Sequence, residues 1–289
     1  HVFWRKDFHG FWPSEMGFCM ELIPLLKRMG YRYVMVDSHH VEPVGEMRWE
    51  EIRYRPHIAR HGGEEITVVV RDRELSDAQL SGMDAGWFIH ELHERTKFCD
   101  FPPLVLTATD GDNGGWFRNT SEKGNFWHVC YRELLDRHRR GETGVTPTFI
   151  HDYLDEHGAH GEVTVRAGAW NTGWHHGVGF LQWTGSQTQR DALQRIHDFS
   201  ADLHATEAKA KDAQSGKDAF QREIEQARWR MLRAQTSCNL FWGEAWAHRI
   251  HEDLDAAAPH LEKAKRELPE SEEEAGTIQP ISPAAEGTG

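Results

Sequence analysis

The sequence predicts an α/β protein built on parallel strands, closed as a barrel or open as a sheet, with an all-helical region behind it. Tyr31 to Val36, Ile66 to Val70 and Leu104 to Thr109 are short, nearly continuous apolar runs, the pattern of strands buried on both faces. Segments of helical period separate them. From Gln187 to about Leu268 only the helical period persists, with Leu193, Ile196, Phe199 and Leu203 on one face and Ile224, Trp229, Met231 and Leu232 in a later helix. These shifts divide the chain into 1–186, a helical region at 187–268, and an acidic then Pro, Ala and Gly tail at 269–289, too polar to pack and expected to be disordered.

Taken in order, the chain first presents His9 to Phe18, where Glu15 stands among aromatic rings, a proline and two glycines. A carboxylate held stiffly beside apolar surface suits acid, base or nucleophile chemistry. Phe18, Leu22, Leu25, Leu26 and Met29 then fall at helical spacing, with Gly30 at the C-terminal cap position and Pro24 as a possible bend. The first strand follows and stops at Asp37-Ser38-His39-His40. Val41 to Gly63 has no clear period and reads as a long, partly structured connection. Beyond the strand ending at Arg71-Asp72, Ser76 is a candidate cap and a helix surrounds Trp87, Phe88 and Leu92.

The third strand ends at Asp110-Gly111-Asp112-Asn113-Gly114-Gly115-Trp116. Helices are expected over Phe126 to Arg140 and within Val145 to His157, and a short strand over Glu162 to Ala167. That strand leads into Gly168 to Gly177, which holds Trp170, Trp174, His175 and His176. In the helical region Ser215-Gly216 marks a turn, and a last aromatic helix runs from near Ser237 through Phe241, Trp242, Trp246, Ile250 and Leu254.

Each apolar strand therefore ends in a polar turn: Asp37 and His39, Arg71 and Asp72, Asp110 and Asp112. In parallel α/β folds the site lies at the carboxyl ends of the strands, so these groups are expected to converge with Glu15. The formal net charge of −13 opposes nucleic-acid and anionic membrane surfaces, and no apolar run is long enough to span a bilayer. The 4 cysteines are widely spaced, which suits a reducing cytoplasm and gives no zinc pattern. The 12 tryptophans fit a neutral, ring-shaped ligand such as a sugar. No cofactor is called for, and the oligomeric state is left open.

Two carboxylates at strand ends amid Trp and His match glycoside hydrolysis, in which one acid protonates the leaving oxygen and the other attacks the anomeric carbon or activates water. Their separation is about 5 to 5.5 Å for retention and roughly 6.5 to 9.5 Å for inversion. Glu15 pairs with Asp110 on this reading, although Asp112 lies on the same side of an extended segment and spacing alone does not decide between them.

Gly10-Phe-Trp-Pro-Ser-Glu15-Met-Gly-Phe resembles the nucleophile motif of glycoside hydrolase family 57. Thr109 to Trp116 is similar to that family's acid/base motif, and Gly168 to His176, extended to Trp183, to its later Trp-Gly-His motif. Cys238 to Gly243 looks like part of its helical domain. The resemblance, which runs from residue 1 to about 265, implies a (β/α)7-type parallel barrel with an appended helical region, a retaining mechanism and α-linked glucan substrates. It implies Glu15 as nucleophile and Asp110 as general acid/base. Trp12, Asp37, His39, Arg71, Asp112, Trp116, Trp170, His175 and Trp242 are the expected substrate-binding residues. The family's first two motifs would precede His1, so the barrel is expected to be N-terminally incomplete, with His9 to Phe18 as its fourth strand.

Transglycosylation by a 4-α-glucanotransferase or branching enzyme shares the same glycosyl-enzyme and stays open. So does a non-catalytic carbohydrate-binding member. A third alternative takes Asp37, His39 and His40 with His175 and His176 as the metal site of a polysaccharide deacetylase.

Overall fold

The computed structural model describes residues 9–111, 124–172, 179–212 and 217–268. The chain divides into two compact units, His1–Leu181 and Gln182–Gly289, so the division falls at residue 181 where composition placed it at 186.

The first unit holds a four-stranded sheet in the order β1-β2-β5-β4: Gly10–Phe11 (β1), Tyr33–Asp37 (β2), Glu64–Arg71 (β5) and His57–His61 (β4). β1, β2 and β5 run parallel, and β4 is antiparallel to β5. A second pair joins Val41–Pro43 (β3) antiparallel to Val163–Val165 (β6). The α/β class stands, while the main sheet among the described residues is mixed and has four strands.

The central strands are buried on both faces, as their unbroken apolar runs require. Val34, Val36, Ile66, Val68 and Val70 pack with Ile23 and Leu26 of the helix Ile23–Arg28 (α1), while Val69 packs on the opposite side with Leu104 and Tyr153. Gly30, at φ +86°, closes the end of α1 as its spacing predicts.

Several elements differ from expectation for physical reasons. Val41 to Gly63 is well ordered, containing β3, the helix Trp49–Tyr54 (α2) and β4. β4 carries two histidines and an arginine and so hides its strand character. The two-residue Gly62-Gly63 loop, at φ +60° and +81°, closes a tight hairpin that forces the antiparallel pairing. Asp72, not Ser76, caps the helix Arg73–Ser81 (α3), accepting from the Leu75 N–H at 2.9 Å, while the Ser76 hydroxyl donates back to the Asp72 carbonyl at 2.6 Å. The helix Ala85–Thr96 (α4) forms around Trp87, Phe88 and Leu92 as predicted.

Leu104 to Thr109 is extended but joins the sheet through a single bridge, Leu106 to Arg71. Glu15 lies in a one-turn helix, Ser14–Met16, beyond the two residues of β1, so His9 to Phe18 is mostly turn and not strand.

The second unit is helical, with Gln187–Asp212, Lys217–Ala234 and His248–Arg266 packed around Leu203, Ile224, Met231, Ile250, Leu254 and Leu261. The expected single helix from Ser237 to Leu254 is broken: Cys238–Phe241 ends at Gly243, whose φ of +86° no helix accommodates. The Ser215-Gly216 turn lies outside the described residues, as does the tail at 269–289. No described helix is long and apolar enough to cross a membrane.

Candidate active site

Glu15 occupies a sterically costly backbone conformation. Its φ is +55° and that of Met16 is +54°, in the left-handed region that non-glycine residues seldom occupy. Such geometry persists only where its surroundings over-determine it. Met16 is buried, and its N–H donates to the Pro13 carbonyl at 2.9 Å. Phe18 and Gly168 exchange two backbone hydrogen bonds, at 2.9 and 3.1 Å, and the Trp170 N–H donates to the Glu15 carbonyl at 3.0 Å. The turn is thus stitched along its length to Gly168-Ala169-Trp170.

The Trp170 indole also donates through Nε1 to Glu15 Oε2 at 2.7 Å. Trp12 meets Trp170 edge-on, with ring centroids 6.4 Å apart. Gly168 is needed because a Cβ there would lie 2.7 Å from the His40 ring. That ring is buried, and its Nε2–H donates to the Ala169 carbonyl at 2.9 Å. Burial pushes the His40 imidazole below its ordinary pKa, against the opposing pull of this bond and of Asp37.

Beside this turn lies a buried ion cluster. Asp37 and Arg71 are cross-strand neighbours at the carboxyl ends of β2 and β5. Arg71 donates to Asp37 Oδ2 at 2.8 Å and Arg73 to Asp37 Oδ1 at 2.9 Å, all three side chains being almost wholly buried. Arg71 also donates to the Ala108 carbonyl at 2.7 Å, and its guanidinium lies over the Trp170 ring at 5.4 Å. Arg73 donates to the Trp170 carbonyl. The Ala108 N–H in turn donates to the Ser76 hydroxyl at 3.2 Å, so the segment ending at exposed Asp110 is anchored two residues before that carboxylate.

The structure therefore connects Trp12, Glu15, Asp37, Arg71 and Trp170, and ties the Asp110 segment to Arg71. Asp112, Trp116 and His175 lie outside the described residues. Successive side chains of the 3-10 turn Ser38–His40 fan about 120° apart, so His39 turns to Glu74, 3.6 Å away, while His40 enters the core. Burial raises the Glu74 carboxyl, but hydrogen bonding and charge from Arg53 outweigh it and hold the group at about 2. Trp242 belongs to the second unit, 62% exposed and edge-on to Phe241.

Arg73 escaped the sequence reading, and His40 entered it only as a candidate metal ligand. Arg73 left a signal: a basic residue at the first position of a helix opposes the helix dipole, and only a strong local partner such as Asp37 compensates. Two guanidinium groups on Asp37 also make it a poor cation ligand, and among the described residues no three His, Cys, Asp or Glu side chains gather to hold a metal.

A model of glycosyl hydrolase family 57 matches residues 6–166. No curated protein sequence matches the chain. Among solved structures, the 4-alpha-glucanotransferase from Thermococcus litoralis is similar at TM-score 0.57 and 19% identity, covering 91% of this chain and 42% of its own. The alpha-amylase AmyC from Thermotoga maritima is similar at TM-score 0.57 and 13% identity, covering 91% and 63%. The exo-type maltose-forming amylase from Pyrococcus sp. ST04 is similar at TM-score 0.54 and 11% identity, covering 92% and 48%. The chain spans between 42% and 63% of the length of these structures, and the likeness is one of fold.

Proposed function

The chain belongs to glycosyl hydrolase family 57, and from that premise we propose that it is a retaining glycoside hydrolase acting on α-linked glucans, with Glu15 as nucleophile and Asp110 as general acid/base. The observation that carries this reading is the Glu15 turn, a carboxylate on a left-handed backbone, joined to Trp170 by its own backbone and side chain. Strain retained around one carboxylate fits a functional requirement for its direction.

In the first step a Glu15 oxygen forms a bond to the anomeric carbon as the glycosidic C–O bond breaks, and the departing oxygen takes the Asp110 proton. In the second, Asp110 removes a proton from water, whose oxygen displaces Glu15 and regenerates both groups. A sugar hydroxyl in place of water gives transfer, a second reading favoured by the likeness to a 4-alpha-glucanotransferase. Retention requires the two carboxyl groups to lie about 5 to 5.5 Å apart.

The parallel strands β1, β2 and β5 are on this reading part of a (β/α)7 barrel, with Trp12 and the Asp112, Trp116 and His175 positions contacting an oligo- or polysaccharide. Four free cysteines fit a cytoplasmic setting. The Arg71 and Arg73 guanidinium groups on Asp37 weigh against the metal-dependent deacetylase.

The test is product analysis on maltooligosaccharides with Glu15→Ala and Asp110→Ala in the full chain. Each is expected to lower turnover by about 10³-fold or more while binding persists. Wild-type-like turnover in either variant overturns the assignment, and binding without turnover in the unmutated chain would favour the non-catalytic carbohydrate-binding member.

A further inference from the structure

We propose that Trp170 is a positioning residue for Glu15 and not a sugar-stacking platform, with the Asp37–Arg71–Arg73 cluster holding the indole in place. This rests on the assignment of Glu15 as the nucleophile.

A tryptophan that stacks on a sugar needs an open ring face and a polar edge turned to the ligand. Trp170 offers neither freely. Its Nε1–H is engaged with Glu15 Oε2 at 2.7 Å. The Arg71 guanidinium lies over its ring at 5.4 Å, and Trp12 abuts it edge-on at 86° between the ring planes. Its backbone N–H donates to the Glu15 carbonyl and its carbonyl accepts from Arg73. Its main chain, its polar edge and one ring face are engaged. Trp12, 41% exposed, is the more open platform of the pair.

Arg71 and Arg73 cannot swing freely, because Asp37 takes one on each carboxylate oxygen. Guanidinium direction is set by this ion cluster, indole direction by the guanidinium and the backbone, and the Glu15 Oε2 direction by the indole. A nucleophile misdirected by about 1 Å loses on the order of 10²-fold in rate, so such a chain of constraints bears directly on catalysis.

The test labels Glu15 with a 5-fluoro-α-maltosyl fluoride. Attack by the carboxylate forms the glycosyl ester and expels fluoride, and peptide mass spectrometry locates the ester. Rates are compared for the full chain, Trp170→Phe, and a chain carrying benzothienylalanine at position 170, which keeps the indole's shape but replaces N–H with sulfur. Both substitutions are expected to slow labelling by about 10- to 100-fold, the cost of a carboxylate no longer held in its direction of attack, while KM for maltooligosaccharides stays within roughly threefold.

A raised KM with an unchanged labelling rate in these variants assigns Trp170 to sugar stacking and overturns the proposal. Slow labelling in Trp170→Phe but not with benzothienylalanine reduces the residue to a filler of space, and also overturns it. Normal labelling of Glu15 in every chain removes the positioning role alone. Labelling of the unmutated chain at a residue other than Glu15 removes the nucleophile assignment and this inference together.

Discussion

Trp170 is joined to Glu15 twice, through its backbone N–H to the Glu15 carbonyl at 3.0 Å and through its indole N–H to the Glu15 carboxylate at 2.7 Å. The first bond fixes where the Glu15 backbone lies and the second where its side chain points. Because the first is independent of side-chain identity, the left-handed conformation at position 15 should survive substitution, and its cost should become measurable.

Glu15→Gly and Glu15→Ala both lose the carboxylate, but only alanine keeps the steric cost of a positive φ. That cost is roughly 1 to 2 kcal/mol, partly offset by the greater unfolded-state entropy of glycine, so the glycine variant should be the more stable by about 1 kcal/mol. Urea denaturation of the pair checks this. Equal midpoints would mean that the turn relaxes when the carboxylate is removed.

Asp37→Asn should be costly, because it removes the counter-charge of buried Arg73 and leaves buried Arg71 only the half-exposed Asp77, 3.1 Å away. Removal of one partner from a buried ion pair typically costs about 3 to 5 kcal/mol. Asp155→Asn breaks an ion pair of 2.5 Å to Arg32 at a site where both side chains are largely exposed, and should cost well under about 1 kcal/mol. Comparable losses in the two variants, read from chemical unfolding, would refute the buried-cluster account.

Gly168→Ala places a Cβ 2.7 Å from the His40 ring and should destabilise by about 1 to 3 kcal/mol through overpacking. His40→Ala in the same chain removes the obstacle, so the double variant should lose less than the sum of the two single losses. Strict additivity of the unfolding free energies would place the glycine requirement elsewhere.

Acid should weaken the fold in two windows. His40 and His57 are both held below their ordinary pKa, chiefly by burial. In the unfolded chain they protonate as the pH falls through about 6.5, while the folded chain still resists the proton. The unfolded state then binds more protons, and stability falls on acidification from that point until the lowered folded pKa values are reached. Glu74, held at about 2 against an unfolded value of 4.5, adds stability above 4.5 that is lost between that pH and about 2. Unfolding free energy measured from pH 7.5 to 3 should show both declines. His57→Gln should flatten only the first, and a curve that stays level between pH 7 and 5.5 would contradict the histidine account.

The legible parts of the chain were those where burial imposes a period. β2 and β5 declare themselves because both faces are covered and nearly every residue is apolar. The Glu15 turn was legible as a cluster of rings and glycines around one acid, but not as a left-handed backbone, because nothing local in Ser-Glu-Met calls for positive φ. That conformation comes from Gly168 to Trp170, far along the chain. β4 was missed since His57 is buried with its ring nitrogens facing the His160 and Ile52 carbonyls, at 2.6 and 3.1 Å, and not through apolar character. Adjacent histidines at a strand end are expected to point in opposite directions, and the 3-10 turn Ser38–His40 places the His39 ring beside Glu74 and the His40 ring in the core.

The bond from Trp170 to Glu15 closes a span of 155 residues. During synthesis at about 5 to 20 residues per second, the proposed nucleophile leaves the ribosome many seconds before the indole that orients it. Until that partner arrives, the residues at 15 and 16 have no reason to leave the ordinary right-handed or extended basins. The proposed catalytic conformation is therefore among the last features of the first unit to form, and its appearance would report completion of that unit.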